Sequence, residues 1–552
     1  MQFLKNTAVS LTALTLCLAL VACGGGGSGT TPDRFSASCS SLGGTAFAST
    51  AVSGKVTFDL VPVVVNGARP QLNYAGISRQ PARSVVVESI DCVSGEVLAT
   101  ATTNATGDYT LTVPNNRTVF IRALAQMNSI GSNAAAFSVV DNTSSGAQWA
   151  TDGAVFGTGI VAALTQNLNA GSGWTGTAYD KAQRAAGPFA ILDTAYQAAQ
   201  KVISSDASVA FPALEFNWSP NNIAASGDRA LGQIGGSFFT FDKSNAAPTR
   251  QIYILGFASN DTDEYDPHVV AHEFGHYLQS AFSRDDSVGG THGQNDRLDM
   301  RVAFSEGWGN AWSGIALANP VYADTNGANQ VGGFSFNISQ NDSNNPGWFK
   351  EASVQKVLWD FSNSPAIGFT PLWNAFKNGL TQSAALAGIH SYARALAGAN
   401  PAVAPQIGAI LSAQSIALPS SAYGDDETNF GSPEISNVKP IHLNYGAIGS
   451  TLTNICVDST ADPLRHRNKA GEFRYVRLNL PQSGPRTINV TRTSGGATDP
   501  DLVLYNRLGS SFEANGETPD VEAINATLAA GDYVLVVNDY SLSSSCFSLT
   551  IQ

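Results

Sequence analysis

Apolar and polar positions alternate along residues 53–125, with strand-like runs at 85–87, 97–99 and 109–113 set between turn residues. A period of two marks half-buried strands, so residues 51–127 read as a small β-sandwich. From 128 to 265 the pattern is mixed, helical over 185–203 and strand-like at 237–241 and 252–255. From 266 to about 415 a spacing of three and four takes over: Val269, Val270, Phe274, Leu278 and Phe282 form one apolar helix face. Further helices are expected at 348–361 and 384–397, after a Gly/Asn-rich stretch at 324–347. Past a polar linker at 421–450, alternation resumes from about Cys456, and 451–552 read as a second β-sandwich. The expected fold class is multidomain α+β, with a mixed region at 128–420 flanked by two β-sandwiches.

Composition fits a folded chain and narrows its partners. A length of 552 residues with 43% hydrophobic suffices for about three or four cores. Only 13% of residues are charged and the net charge is −13, which argues against nucleic acid or anionic lipid headgroups. The densest basic run, Arg465-His466-Arg467, reads as a solvated loop.

Lys5 followed by an apolar core at 11–20 has the form of an export signal too short to span a membrane, and Leu20-Val21-Ala22-Cys23 resembles a bacterial lipobox. The resemblance implies removal of 1–22, acylation of Cys23 and, with Gly24 next to it, sorting to the outer membrane or cell surface, or release to the medium. Residues 23–50 would form a tether with a flexible glycine run at 24–29. Setting Cys17 and Cys23 aside leaves Cys39, Cys92, Cys456 and Cys546. Four cysteines allow three connectivities, and two near each end favour Cys39 with Cys92 and Cys456 with Cys546. No pair has the close spacing of a cysteine zinc site.

The chemistry concentrates at His272-Glu273-Phe274-Gly275-His276. Histidines four apart on a helix share one face, so both rings reach one tetrahedral Zn²⁺ while the intervening carboxylate reaches the water on it. Asp266-Pro267 reads as an N-cap with proline at the first helical position. His268, one turn earlier, reads as a core histidine. A third ligand is expected from Glu306, within the apolar, helix-compatible segment 303–310.

These segments resemble the gluzincin metallopeptidases, of thermolysin and fungalysin type, in which the HExxH helix is followed by a helix carrying a glutamate ligand. The Glu306-Gly307-Trp308-Gly309-Asn310 tract is nearer the fungalysin branch. The resemblance implies a two-lobed zincin domain, His272, His276 and Glu306 on zinc, and Glu273 as general base. It also implies an edge strand that pairs with extended substrate, with 237–241 the first candidate and 252–255 the second. One turn after the glutamate ligand the family places an acidic residue that orients a zinc histidine; here Asn310 stands there, uncharged but able to accept a hydrogen bond. An oxyanion donor is implied too, for which His390 is the choice and Tyr392 its competitor.

Residues 94–100 and 103–109 resemble carboxypeptidase regulatory-like modules, and 498–505 and 528–537 resemble the bacterial pre-peptidase C-terminal domain. The acidic loop Asp261-Thr262-Asp263-Glu264-Tyr265-Asp266 has two readings: a Ca²⁺ site, or negative charge supporting the helix N-terminus. Asp499 and Asp501 have the same two-sided reading, as Ca²⁺ ligands or turn formers beside Pro500. The function expected is a zinc-dependent endopeptidase acting on extracellular proteins. Two other readings are a surface adhesin or scaffold that keeps zinc for structure, and a zinc hydrolase of a non-peptide amide or ester.

Overall fold

The computed structural model describes residues 49–67, 69–242, 249–431, 438–460, 462, 464–507, 509 and 511–552. The expected signal segment, Cys23 and Cys39 lie outside the described residues. The fold is mixed α+β, 24% helix and 36% strand.

The long strand Ser49–Leu60 organises the N-terminal sandwich. It pairs antiparallel with Asp108–Pro114 and Ser78–Pro81 and parallel with Ala163–Thr165 and Leu168–Ala170. A second sheet is built from Val86–Asp91, Val97–Thr102, Thr118–Leu124, Ala150–Asp152 and Phe156–Gly157. Alternation along Asp108–Pro114 sends Tyr109, Leu111 and Val113 inward, into one core with Val56, Phe58 and Ile121. Strands between 126 and 148 leave for a central sheet, and those between 150 and 170 return to the sandwich.

The central sheet runs in the order Ala147–Gln148, Asn133–Asp141, Phe211–Trp218, Arg250–Ile254, Phe238–Phe241, with Gln126–Ile130 also on Asn133–Asp141. Its middle strands are parallel; Phe238–Phe241 is antiparallel and ends the sheet among the described residues. Of the two stretches proposed to meet substrate, 237–241 thus has the edge, whereas Arg250–Ile254 is paired on both sides. Seven α-helices accompany the sheets among the described residues: α1 (Ala186–Ile203), α2 (Pro267–Phe282), α3 (Met300–Leu317), α4 (Glu351–Asn363), α5 (Phe369–Asn374), α6 (Ile389–Ala399) and α7 (Ala404–Ser412). α1, α2 and α3 share the core of the N-terminal sandwich.

The C-terminal sandwich has its own core, with Val476, Leu478, Ile488, Leu502, Leu535 and Phe547 between a five-stranded and a four-stranded sheet. His442–Asn444, from the expected linker, joins its first sheet beside Phe473–Leu480. A disulfide links Cys456 to Cys546, and Cys92 is disulfide-bonded as well. The sandwich seats on α3: the Tyr475 hydroxyl donates to Asp299, the helix N-cap, and Arg301 lies 4.6 Å from the centre of the Phe473 ring.

His442 is buried in this seam, between the Tyr423 and Tyr475 rings, with Nδ1 2.9 Å from the Tyr423 carbonyl oxygen. Burial pushes its pKa down to about 3. The unfolded chain, with an ordinary histidine near 6.5, therefore binds the proton first, and this residue withdraws stability as pH falls from about 6.5 towards 3, by at most about 1.4 kcal/mol per pH unit. Over that range, denaturant unfolding of His442→Gln is expected to depend less on pH than that of the unsubstituted protein; equal slopes would refute it.

Candidate metal centre

α2 and α3 cross almost in contact, which places the candidate ligands. A methyl on Gly309 would stand 2.8 Å from His272 Cε1, and one on Gly275 would stand 3.1 Å from the Gly309 Cα. Two glycines, one per helix, permit the crossing. Trp308 fixes it by donating its indole N–H to the Gly275 carbonyl at 3.0 Å. Pro267 opens α2 as expected, but Asp266 does not cap it with its side chain. Asp266 Oδ2 instead accepts the backbone N–H and the hydroxyl of Thr325, both at 2.8 Å, from the facing strand Val321–Asn326.

At the crossing, His272 Nε2 and His276 Nε2 are 3.0 Å apart, and Glu306 Oε2 lies 3.2 and 3.3 Å from them. Ligand atoms on a tetrahedral zinc, each about 2.0–2.1 Å from the ion, stand roughly 3.3 Å from one another. The three residues therefore fit one face of such a site. Each imidazole is also held from behind. His272 Nδ1 is 2.9 Å from Asn310 Oδ1, so the uncharged residue takes up the orienting contact. His276 Nδ1 is 3.2 Å from the Ser305 hydroxyl, which donates onward to Gln279 Oε1 at 2.9 Å. With both Nδ1 positions occupied as donors, the Nε2 lone pairs are left for a metal.

Glu273 is buried between α2 and the edge strand, where its carboxylate meets the backbone of Phe239. Burial raises its pKa, opposed by His272 and His276. Glu306 behaves oppositely: burial alone would raise it, but His276 and His292 outweigh that and hold it well below the ordinary range.

His292 escaped the sequence reading. It lies in the loop between α2 and α3, with Nε2 3.2 Å from Glu306 Oε2 and Nδ1 2.7 Å from Glu351 Oε2 at the start of α4. Burial lowers the pKa of His276 and of His292, yet the Glu306 carboxylate, with Glu351 for His292, carries each up to about 9. The C-terminal sandwich holds the loop: Asn468 donates to the Gly289 and Thr291 carbonyls at 3.0 and 3.1 Å, and Lys469 to Thr291 at 3.0 Å. A lone histidine in a polar loop, 59 positions from its glutamate, carries no spacing signal.

Other residues singled out lie elsewhere. His390 pairs with Glu427 at 2.9 Å and Tyr392 donates to the Leu372 carbonyl, so neither is brought to the cluster. His268 is a buried histidine 3.1 Å from the Asn319 carbonyl, its pKa lowered by burial to about 4. Asp499 and Asp501 join no group of metal-ligating side chains among the described residues. Asp261, Asp263 and Asp266 do, together with Asp324 from Val321–Asn326. Burial, then neighbouring carboxylates, pushes Asp261 up to about 8 and Asp263 and Asp266 well above the usual range; burial takes Asp324 to about 6.

No family model matches the chain, and no curated protein matches it. Among solved structures, it is similar to the pre-peptidase C-terminal domain of a collagenase from Bacillus anthracis, at 13% identity and a TM-score of 0.16, covering 20% of this chain and 94% of that one. It is also similar to the periplasmic g-type lysozyme inhibitor PliG of Aeromonas hydrophila, at 15% identity and a TM-score of 0.13, over 20% of this chain and 96% of that one. A third likeness is to the CBM35 of Abf62 from Cellvibrio japonicus, at 14% identity and a TM-score of 0.13, over 19% and 96%.

Removing the acceptor behind His272 is expected to weaken metal binding by about 10–100-fold in Asn310→Ala, measured by competition with a chromophoric zinc chelator. An unchanged affinity would show that His272 needs no such support.

Proposed function

We propose that the chain is a zinc-dependent endopeptidase. The observation that carries this reading is the convergence of His272, His276 and Glu306 at tetrahedral spacing, with the buried Glu273 beside them. Zinc held there would supply a Lewis acid that polarises the scissile carbonyl and acidifies a water. Glu273 takes the proton of the attacking water and passes it to the departing amine nitrogen, base first and acid afterwards. Asn310 and Ser305 hold the two rings in the tautomer that ligates. The edge strand Phe238–Phe241 offers main-chain groups to an extended peptide, which favours a polypeptide over a small amide or ester. The lipid anchor on Cys23, the export route and the extracellular site of action belong to the same reading, from the lipobox-like sequence.

The second reading, zinc kept for structure in an adhesin or scaffold, has one observation in its favour. His292 Nε2 is 3.2 Å from Glu306, and a fourth protein ligand would close the site. Against it stands the grouping of mutually close ligand atoms, which takes in three residues and leaves His292 out.

Glu273→Gln is expected to retain zinc while casein hydrolysis falls by at least about 100-fold; wild-type hydrolysis would sink the assignment. His292→Ala separates the two readings. The enzyme reading expects unchanged zinc content, whereas a closed structural site expects loss of zinc and a lower melting temperature.

A further inference from the structure

A second group of acidic side chains lies at the opposite end of α2's first turn from the chemistry, and its composition is hard to account for without a ligand. The loop before α2 contributes Asp261, Asp263 and Asp266, and the strand Val321–Asn326 contributes Asp324. One oxygen from each lies within 4.8 Å of all the others. Asp263 and Asp266 are 3% and 0% exposed. Burying four carboxylates together is costly unless each charge is compensated.

The same loop shows what compensation looks like. Glu264, between Asp263 and Asp266, is fully buried but has the Arg184 guanidinium as an ion pair and the Trp218 indole N–H at 3.1 Å. Among the described residues no lysine, arginine or histidine forms an ion pair with any of the four aspartates. Asp266 Oδ2 is occupied by Thr325, and Asp263 Oδ2 by the Ser237 hydroxyl at 2.5 Å. The remaining Oδ1 atoms of Asp261, Asp263 and Asp266 are buried with no hydrogen-bond partner, as is the hydroxyl of Thr262. Four such orphans in one loop are a second, independent sign of a missing partner.

We propose that Asp261, Asp263, Asp266 and Asp324 bind a calcium ion. Oxygens on opposite sides of Ca²⁺, each about 2.3–2.6 Å from it, stand roughly 4.6–5.2 Å apart, so a cluster closed to 4.8 Å accommodates one ion. The all-carboxylate set, mostly buried and drawn from a loop and a distant strand, suits the irregular six-to-eight-oxygen coordination of Ca²⁺. It does not suit Mg²⁺, which keeps an octahedral shell and several of its waters. The ion would tie three pieces together: the start of α2 through Asp266, the strand Val321–Asn326 through Asp324, and the edge strand through Asp263. The last link runs by Ser237, whose hydroxyl also accepts the Leu255 N–H at 3.0 Å. This site stands whether or not the chain hydrolyses peptides.

The test uses the full chain, freed of bound metals by chelating resin and reloaded with one equivalent of zinc. Calcium is then titrated while the melting temperature and bound calcium are followed, the latter by atomic emission. The expected results are about one Ca²⁺ retained per chain and a melting temperature that climbs with calcium concentration. Terbium luminescence, excited through the protein's aromatic rings and quenched by added calcium, reports the same site without relying on stability. The double variant Asp263→Asn, Asp324→Asn relieves the buried charge and so is expected to fold; it should keep zinc and lose both calcium responses. A flat melting temperature up to about 10 mM calcium with none retained, or a variant that responds like the unsubstituted protein, overturns the proposal. An equal response to magnesium overturns the choice of calcium. Glu273→Gln should keep the calcium response, so failure of the peptidase reading and failure of this one give different results.

Discussion

The crossing of α2 over α3 is the contact on which the rest depends. A carboxylate can sit 3.2–3.3 Å from two imidazole nitrogens only if the helix backbones approach closely, and Gly275 and Gly309 remove the side chains that would hold them apart. Packing then fixes the gap. Trp308 and Trp312 are fully buried, Trp308 stacks on Phe376 at 3.8 Å, and its indole bonds across to α2. Dispersion from large rings and one buried hydrogen bond thus hold these polar side chains at a spacing that their desolvation would otherwise widen.

Around that crossing the chain is not assembled as beads on a string. The N-terminal sandwich shares its apolar core with α1, α2 and α3, because strands between 126 and 148 belong to the central sheet before the chain returns to the sandwich. The C-terminal sandwich differs. It has a core of its own on one side of its five-stranded sheet, while Tyr475, Val534 and Val536 on the other side enter the core that α1, α2 and α3 share. Polar contacts such as Asp299 with Tyr475 and Asp296 with Lys469 add to that seat. One end is fused to the centre through a single core; the other shares one face with it and keeps a second core for itself.

What the sequence made legible follows from the range of the interactions. His272, Glu273 and His276 lie within one turn of helix, so their grouping is written into their spacing. Glu306 stood out because its own helix is strongly apolar, and Asn310 was singled out only through the gluzincin resemblance, which places an acidic residue one turn further on. The edge position of 237–241 was visible as a candidate but not separable from 252–255, since only sheet order decides which strand is paired twice. His292 and Asp324 were illegible: each reaches its partners through a loop or hairpin whose path depends on contacts far along the chain. Sheet membership on either side of 127 was illegible for the same reason, because alternation identifies strands but not the sheet each one joins. The side chain of Asp266 was expected on the helix N-terminus, where local rules place it, and a threonine 59 positions away drew it off.

The hold that Asn468 and Lys469 keep on the 289–291 backbone reverses the usual relation between order of synthesis and order of use. α2 and α3 are complete once about 317 residues have been made, yet the residues that brace the loop setting His292 against Glu306 lie more than 150 positions further along the chain. A form truncated before residue 468 would carry His272, His276 and Glu306 without the brace on the loop that bears His292.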